Sequence, residues 1–284
     1  MYSEHAVNRC VSGFTVSIVT SIYIGASVVY HMLLKPTLLG GLLFNLTWLL
    51  ALWSYIQTSL TDPGTPNCPE WQDWSRVHQG LSEGAHEAES TKKIGWSPGK
   101  ATWCRFCRME RPERAHHCSS CGCCVLRMDH HCPWIGSCVG WRNHKYFLLL
   151  NGWSCSSCIC FLLGMTGPRL LEVLEITPGT FSASSMLLMV SVMIIVIFLL
   201  LTGVLFCISV QSAMRNITTV EDFFTGDNPY MLDSSMENLT QLLGPPGVRW
   251  LVPVPCTCRP CDGTSFPVAK LRQVVGSYGS VEDP

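Results

Sequence analysis

Four stretches of the chain stay apolar for long enough to cross a bilayer, which takes about 20 residues of helix. They run from about Gly13 to Leu33, about Leu38 to Gln57, about Tyr146 to Met165 and about Met186 to Cys207. A buried helix in a soluble core accounts for one such segment better than for four. The pattern therefore predicts an all-α integral-membrane protein with a four-transmembrane-helix bundle. Its expected parts are a short N-terminus with helices 1 and 2 over 1–58, a polar loop over 59–145, helices 3 and 4 over 146–210, and a C-terminal region over 211–284. The first ten residues carry one Arg and no small-residue cleavage site, so the first span is expected to stay as an uncleaved anchor.

Composition agrees with that pattern: 48% of residues are hydrophobic and only 14% charged, against about 25% charged in a soluble domain. A net charge of −1 offers nothing to a nucleic acid, and no such partner is expected. Basic residues set the orientation, because cytosolic loops carry the excess of Lys and Arg. Ser59–Lys145 holds eleven of the nineteen, whereas the turn after span one has Lys35 alone and the Met165–Ser185 loop Arg169 alone. Both termini and the long loop are thus expected in the cytosol. Within that loop, Asn67–Lys100 shows no apolar period and reads as a connector rather than a packed element. The tail beyond Pro255 reads as flexible.

Seventeen cysteines need an explanation, and eight of them fall between Cys104 and Cys138. On the cytosolic side they stay reduced, so metal ligation fits better than a disulfide framework. The run reads Cys104-x2-Cys107, His117-Cys118-x2-Cys121-x2-Cys124, His131-Cys132, Cys138. A C-x2-C pair puts two thiolates on one turn, near enough to share a tetrahedral zinc. With one cysteine set aside, the ligands divide into two Cys3His sets. No C2H2 spacing occurs, which excludes a DNA-reading finger.

A structural zinc module would satisfy that arithmetic alone. Two features add chemistry. Asp129-His130-His131-Cys132 places a carboxylate, two imidazoles and a thiol in succession; a neighbouring His activates a cysteine nucleophile, and a carboxylate fixes that His. Only thirteen residues separate Cys132 from Tyr146, where span three begins, so the thiol is expected at the bilayer surface.

From Cys104 to Phe147 these residues resemble the DHHC family of protein S-acyltransferases (palmitoyltransferases). The resemblance includes Arg111-Pro112, Arg114, Pro133-Trp134-Ile135, Val139-Gly140, Asn143 and Phe147. Outside that core, Asp62-Pro63-Gly64 is similar to the family's D-P-G motif and Thr218-Thr219-Val220-Glu221 to its T-T-x-E motif. Asn228-Pro229-Tyr230, with Asn238 ahead of Gly244, resembles its C-terminal motif. Ser137 departs from the usual Asn, the interval from Tyr230 to Asn238 is one residue longer than usual, and Cys123 is an extra thiol.

The resemblance implies two structural zinc ions, one on Cys104, Cys107, His117 and Cys124, the other on Cys118, Cys121, His131 and Cys138. It leaves Cys132 as nucleophile, His130 as base and Asp129 as the group that orients it, with Thr219, Glu221, Asn238 and Trp134 in support. For Thr219, a helix-end cap is the alternative. The implied reaction takes a long-chain acyl group, palmitoyl first, from acyl-CoA through an acyl-enzyme to cysteines of membrane-associated proteins. The implied partners are acyl-CoA, protein substrates with membrane-proximal cysteines, and the lipid bilayer itself. The implied location is a multi-pass site in an endomembrane or the plasma membrane, Golgi or ER foremost. Ser154, Ser156 and Ser157 either line an acyl cavity or pack against a neighbouring helix. Cys256, Cys258 and Cys261 are self-acylation sites, a partial metal site or unmodified thiols.

Overall fold

A computed structural model of the chain describes residues 17, 20–22, 24–82, 101–164, 183–223, 228–256 and 259–267. Among them, three helices are long and apolar enough to cross a membrane: Leu38–Leu60, His144–Gly164 and Met186–Met214, the last within a helix that begins at Ala183. We number the helices α1 (Leu38–Leu60), α2 (Pro69–Ser82), α3 (His144–Gly164), α4 (Ala183–Met214), α5 (Thr219–Asp222) and α6 (Ser235–Leu243). The stretch expected as the first span is helical over 24–29 and widens into a π-turn at Tyr30–Leu34. Residues 13–16, 18, 19 and 23 of that span, and 165–182 of the loop before α4, lie outside the described residues.

Thr37 caps α1, its hydroxyl accepting from Gly40 N at 3.2 Å. Two buried hydroxyls inside α1 turn back onto their own helix, as an apolar solvent favours: Ser54 donates to Leu50 O at 2.7 Å and Thr58 to Ser54 O at 2.6 Å. The buried face of α1 includes Phe44, Ala51, Tyr55 and Thr58, spaced three to seven apart. Tyr30 stacks on Phe44 at 4.0 Å and joins a cluster with Phe161 of α3 and Leu188 of α4. All four apolar segments therefore meet in one core. Much of α4 instead turns large side chains outward, among them Met193, Ile197, Leu200 and Val204, as a face made for lipid.

Between α1 and α3 lie three two-stranded antiparallel hairpins: β1 (Thr102–Cys104) with β2 (Met109–Arg111), β3 (His116–Cys118) with β4 (Cys123–Val125), and β5 (His130–Cys132) with β6 (Ser137–Val139). So few residues cannot hold a sheet by themselves, and the hairpins lean on neighbouring loops. In the D-P-G loop, Asp62 Oδ1 accepts from Gly64 N at 2.7 Å and Thr65 N at 2.8 Å, while Gly64 O accepts from Leu126 N at 2.8 Å. Gly64 has φ +112°, a left-handed conformation that favours glycine. Gly140 is required by crowding, since a Cβ there would sit 2.5 Å from Val125 Cγ1 and 2.6 Å from Pro63 O. Fully buried Asn143 then ties the third hairpin to both flanking helices, accepting from Gly140 N and donating to Thr58 O (3.0 Å) and Cys138 O (2.9 Å).

Two expectations are overturned in part, for residues 83–100 of the connector and 257–258 and 268–284 of the tail lie outside the described residues. The supposed connector contains α2, in which Pro69 takes the first helical position and Glu70 the first turn. One large anchor holds it: Trp71 is buried in a cluster with Cys68, Leu126, Trp141, Tyr230 and Phe266. The large apolar residues of α2, Trp71, Trp74 and Val77, do recur every three positions, but Trp74 is only half-buried and Val77 exposed, so the stripe is short and set among polar residues. The tail, expected to be loose beyond Pro255, is packed from Arg259 to Phe266. The Arg259 guanidinium lies 4.3 Å over the Trp141 ring and donates to Trp141 O at 2.7 Å. Phe266 meets Trp141 edge-on at 5.5 Å, and its N–H donates to Glu113 Oε1 at 2.5 Å.

Candidate active site

In a strand, successive side chains point to opposite faces. Within β5 that alternation puts His130 and Cys132 on one side and His131 on the other. The register pairs His131 with Cys138 and Cys132 with Ser137. Two adjacent histidines are thus sorted into separate environments by the pleat alone.

On the first face, His130 Nδ1 lies 2.7 Å from Asp129 Oδ2, which leaves Nε2 for another partner. The Phe147 ring, edge-on at 5.1 Å, steadies the imidazole. Burial would lower the His130 pKa, but hydrogen bonds to Asp129 and the Cys132 thiol, with their charges, raise it to about 9. Asp129 is itself buried. Burial pushes its carboxyl upward, yet His144, His130 and the Thr219 N–H outweigh that and hold it well below the usual range. Thr219 reaches Asp129 twice, from its N–H to Oδ1 at 2.9 Å and from its hydroxyl to Oδ2 at 3.2 Å. The helix cap is the neighbour, Thr218, which forms a capping box with Glu221.

Cys132 is 7% exposed and belongs to an apolar cluster with Tyr55 of α1, Phe147 of α3, Ile135 and Val139. Its thiol thus borders the ends of two candidate spans. Tyr55 Oη donates to Trp134 O at 3.0 Å and pins the following turn, whose Trp134 side chain is 76% exposed.

The remaining expected ligands gather into two groups, Cys104, Cys107, His117, Cys124 and Cys118, Cys121, His131, Cys138, with ligand atoms within 4.8 Å of one another in each. Zinc bonds of about 2.3 Å to sulfur and 2.0–2.1 Å to nitrogen make tetrahedral edges of about 3.5–3.8 Å. Cys107 Sγ is 3.2 Å from His117 Nδ1 and 3.7 Å from Cys124 Sγ. In the second group, His131 Nδ1 is 3.3 Å from Cys121 Sγ and 3.7 Å from Cys138 Sγ. Donor chemistry and spacing both fit zinc. Cys123 falls in neither group.

Beneath Asp129 runs a buried polar network of which sequence reading had assigned only Glu221. Arg114 grips Glu221 with two bonds, Nε–Oε1 at 2.7 Å and Nη2–Oε2 at 2.8 Å. Asn216 Oδ1 accepts from Arg114 Nη1 and from Arg127 Nη2, each at 3.1 Å. Arg127 Nη1 lies 3.1 Å from His144 Nδ1. Arg114 stood within the matched motif but carried no role, while Arg127, Asn216 and His144 gave no spacing signal. Asn238 holds α6 to the end of α4, donating to Met214 O at 2.9 Å. Cys256 Sγ donates to Leu243 O, Cys261 packs against the Trp71 cluster, and Cys258 lies outside the described residues. Ser154 and Ser157 are buried, and Ser156 donates to Gly152 O at 2.9 Å.

Fold and site together define a membrane-embedded chain whose cysteine–histidine hairpins carry an Asp-His-Cys constellation at the end of the bundle. The family profile described as DHHC palmitoyltransferase matches residues 97–225. The chain is 32% identical over 251 residues to probable protein S-acyltransferase 15 of Arabidopsis thaliana, covering 82% of this chain and 89% of that one. It is 30% identical over 249 residues to palmitoyltransferase ZDHHC20-B of Danio rerio, covering 79% and 73%. With palmitoyltransferase ZDHHC3-A of Danio rerio the figures are 28% over 268 residues, 89% and 80%. The chain belongs to the DHHC palmitoyltransferase family.

Proposed function

We propose that the chain is a protein S-acyltransferase that moves a long-chain acyl group, palmitoyl first, from acyl-CoA to cysteines of membrane-associated proteins through a thioester on Cys132. The observation that carries this is the His130 Nδ1–Asp129 Oδ2 bond of 2.7 Å beside a thiol set in an apolar cluster between α1 and α3. His130 Nε2 takes the Cys132 proton. The thiolate attacks the acyl-CoA carbonyl, the C–S bond to CoA breaks, and the CoA thiolate leaves with a proton from His130. In the second half a substrate cysteine gives its proton to His130 and attacks the enzyme thioester, which restores Cys132.

Cys104, Cys107, His117 and Cys124 would hold one zinc, and Cys118, Cys121, His131 and Cys138 a second. Zinc there supplies folding energy to hairpins too small to stand alone. Four spans, counting the stretch that ends at Leu34, enclose the apolar side. Residues 59–145, with a core at 104–147, form the zinc domain, and 211–284 the C-terminal region. The basic excess of the loop supports a cytosolic placement of the zinc domain and both termini, in an endomembrane or the plasma membrane. The partners are acyl-CoA, proteins with membrane-proximal cysteines, and the bilayer.

Intact-mass analysis of the purified protein after incubation with acyl-CoAs of graded length tests the reading. One hydroxylamine-labile acyl adduct on Cys132 is expected, absent in Cys132→Ser. Full labelling of that variant would refute it.

A further inference from the structure

A cavity of about 620 Å³ opens where α1 and α3 end, away from the catalytic residues. Gln57 and Thr61 line it from the end of α1, Tyr146 from the first turn of α3, and Arg142, Arg259 and Asp262 from the loops between and behind. Both helices are candidate spans, and the hairpins leave from these ends. The cavity therefore lies at the level of lipid headgroups on the hairpin side of the membrane.

Its wall carries both signs of charge. Arg142 and Arg259 face it together with Glu70 and Asp262. Arg142 Nε and Glu70 Oε1 are 3.6 Å apart, too far for a hydrogen bond. Two atoms are more telling: Arg259 Nε and Glu70 Oε2 are buried and have no nitrogen or oxygen partner among the described residues, with only the weak thiols of Cys256 and Cys68 beside these side chains. Arg259 cannot swing away to find one, because its guanidinium is fixed over the Trp141 ring and bonded to Trp141 O. A buried donor or acceptor left without a strong partner is costly, and each such atom calls for an explanation such as an ordered water, an ion or a ligand.

The orphaned donor wants an anion and the orphaned acceptor wants an N–H. A simple anion would meet Glu70 and Asp262 unfavourably, and a simple cation would meet the two arginines. A ligand that carries a phosphate and a primary ammonium within one small unit satisfies both. A quaternary choline group has no N–H to offer Glu70. We propose that this cavity binds the headgroup of an ethanolamine phospholipid, its phosphate toward Arg142 and Arg259 and its ammonium toward Glu70, with Tyr146 alongside.

The experiment uses the full chain in nanodiscs of phosphatidylcholine, with and without phosphatidylethanolamine, and short-chain lipids in detergent titrated against thermal stability. Dioctanoyl-phosphatidylethanolamine is expected to raise the melting temperature at concentrations at least tenfold below the phosphatidylcholine analogue, and Glu70→Gln or Arg142→Gln to erase the difference. Acyl-enzyme formation in detergent should survive both substitutions. Equal effects of the two lipids, or an undiminished preference in Glu70→Gln, would overturn the assignment. Soluble glycerophosphoethanolamine as effective as the lipid would overturn the membrane source. Displacement of the lipid by 3′-phospho-ADP would give the cavity to the polar end of the acyl donor instead.

Discussion

Asp129→Asn changes one oxygen for an amide and leaves the shape of the site intact, which makes it the cleanest probe of the chemistry. Asp129 accepts three hydrogen bonds, from Thr219 N, Thr219 Oγ1 and His130. An amide can keep the Thr219 N–H bond through its oxygen, but it then turns an N–H toward His130 Nδ1. The imidazole must answer with its other tautomer, placing the proton on Nε2 where the Cys132 proton has to go. In wild type, the distance from the ordinary 6.5 to about 9 corresponds to roughly 3 kcal/mol of preference for the imidazolium. Cys132 supplies part of that preference, so losing the Asp129 share slows acylation by up to about 100-fold, and the wrong tautomer carries the loss to about 10⁴-fold, as in serine triads. The sign of the pH effect is fixed. A raised His pKa contributes stability that is complete below about 6.5 and fades as pH rises through about 9. In the variant only the Cys132 thiol still opposes burial, so the His130 transition should move well below 9. Single-turnover acyl-enzyme formation across pH reads both effects. A loss under tenfold, or an unshifted profile, would refute the reasoning.

Thr219→Ala deletes the 3.2 Å hydroxyl bond but keeps the main-chain bond to Asp129, so the acylation rate should fall by about tenfold or less; a loss as deep as that of Asp129→Asn would contradict this. Glu221→Ala strands Arg114 in a pair whose side chains are 0% and 3% exposed, and should cost about 3–5 kcal/mol; an unchanged thermal midpoint would count against it. Chelation, or Cys121→Ala, should open the hairpins to protease and lower zinc from two per chain, read by elemental analysis. Phe266→Ala should destabilise the folded chain by about 3–5 kcal/mol, with faster proteolysis after Pro255, whereas a loose tail would show neither.

Chemistry and fold were legible to different depths. Cys104, Cys107 and their partners could be read because metal ligation fixes both residue type and spacing, so little else satisfies the pattern. Three of the apolar segments were legible because a bilayer demands length. By contrast, α2 packs mainly through Trp71 and the tail through Arg259 and Phe266, too few anchors to make a long apolar stripe. Arg127 and Asn216 were hidden for another reason: their partners lie 89 residues apart, and nothing local marks such a bond.

Asn216 explains why the site needs the far end of the chain. It is buried, takes a left-handed φ of 47° after α4, and uses every polar atom of its side chain. Its oxygen accepts from Arg114 and Arg127, and its Nδ2 donates to Tyr230 O at 2.8 Å and Gln241 Oε1 at 3.0 Å. Two guanidiniums sharing one carbonyl would repel each other were Glu221 not gripping Arg114. Glu221 in turn accepts from Thr218 N at 2.9 Å, in the turn that presents Thr219 to Asp129. The position of Asp129 is therefore set by residues that join the hairpins only once α4, α5 and α6 have docked. A hairpin domain cut free at α3 keeps all its zinc ligands, Asp129, His130 and Cys132, but has no Thr219 to hold the carboxylate. On the proposed reading, such a piece would keep both ligand sets while losing the support of Asp129.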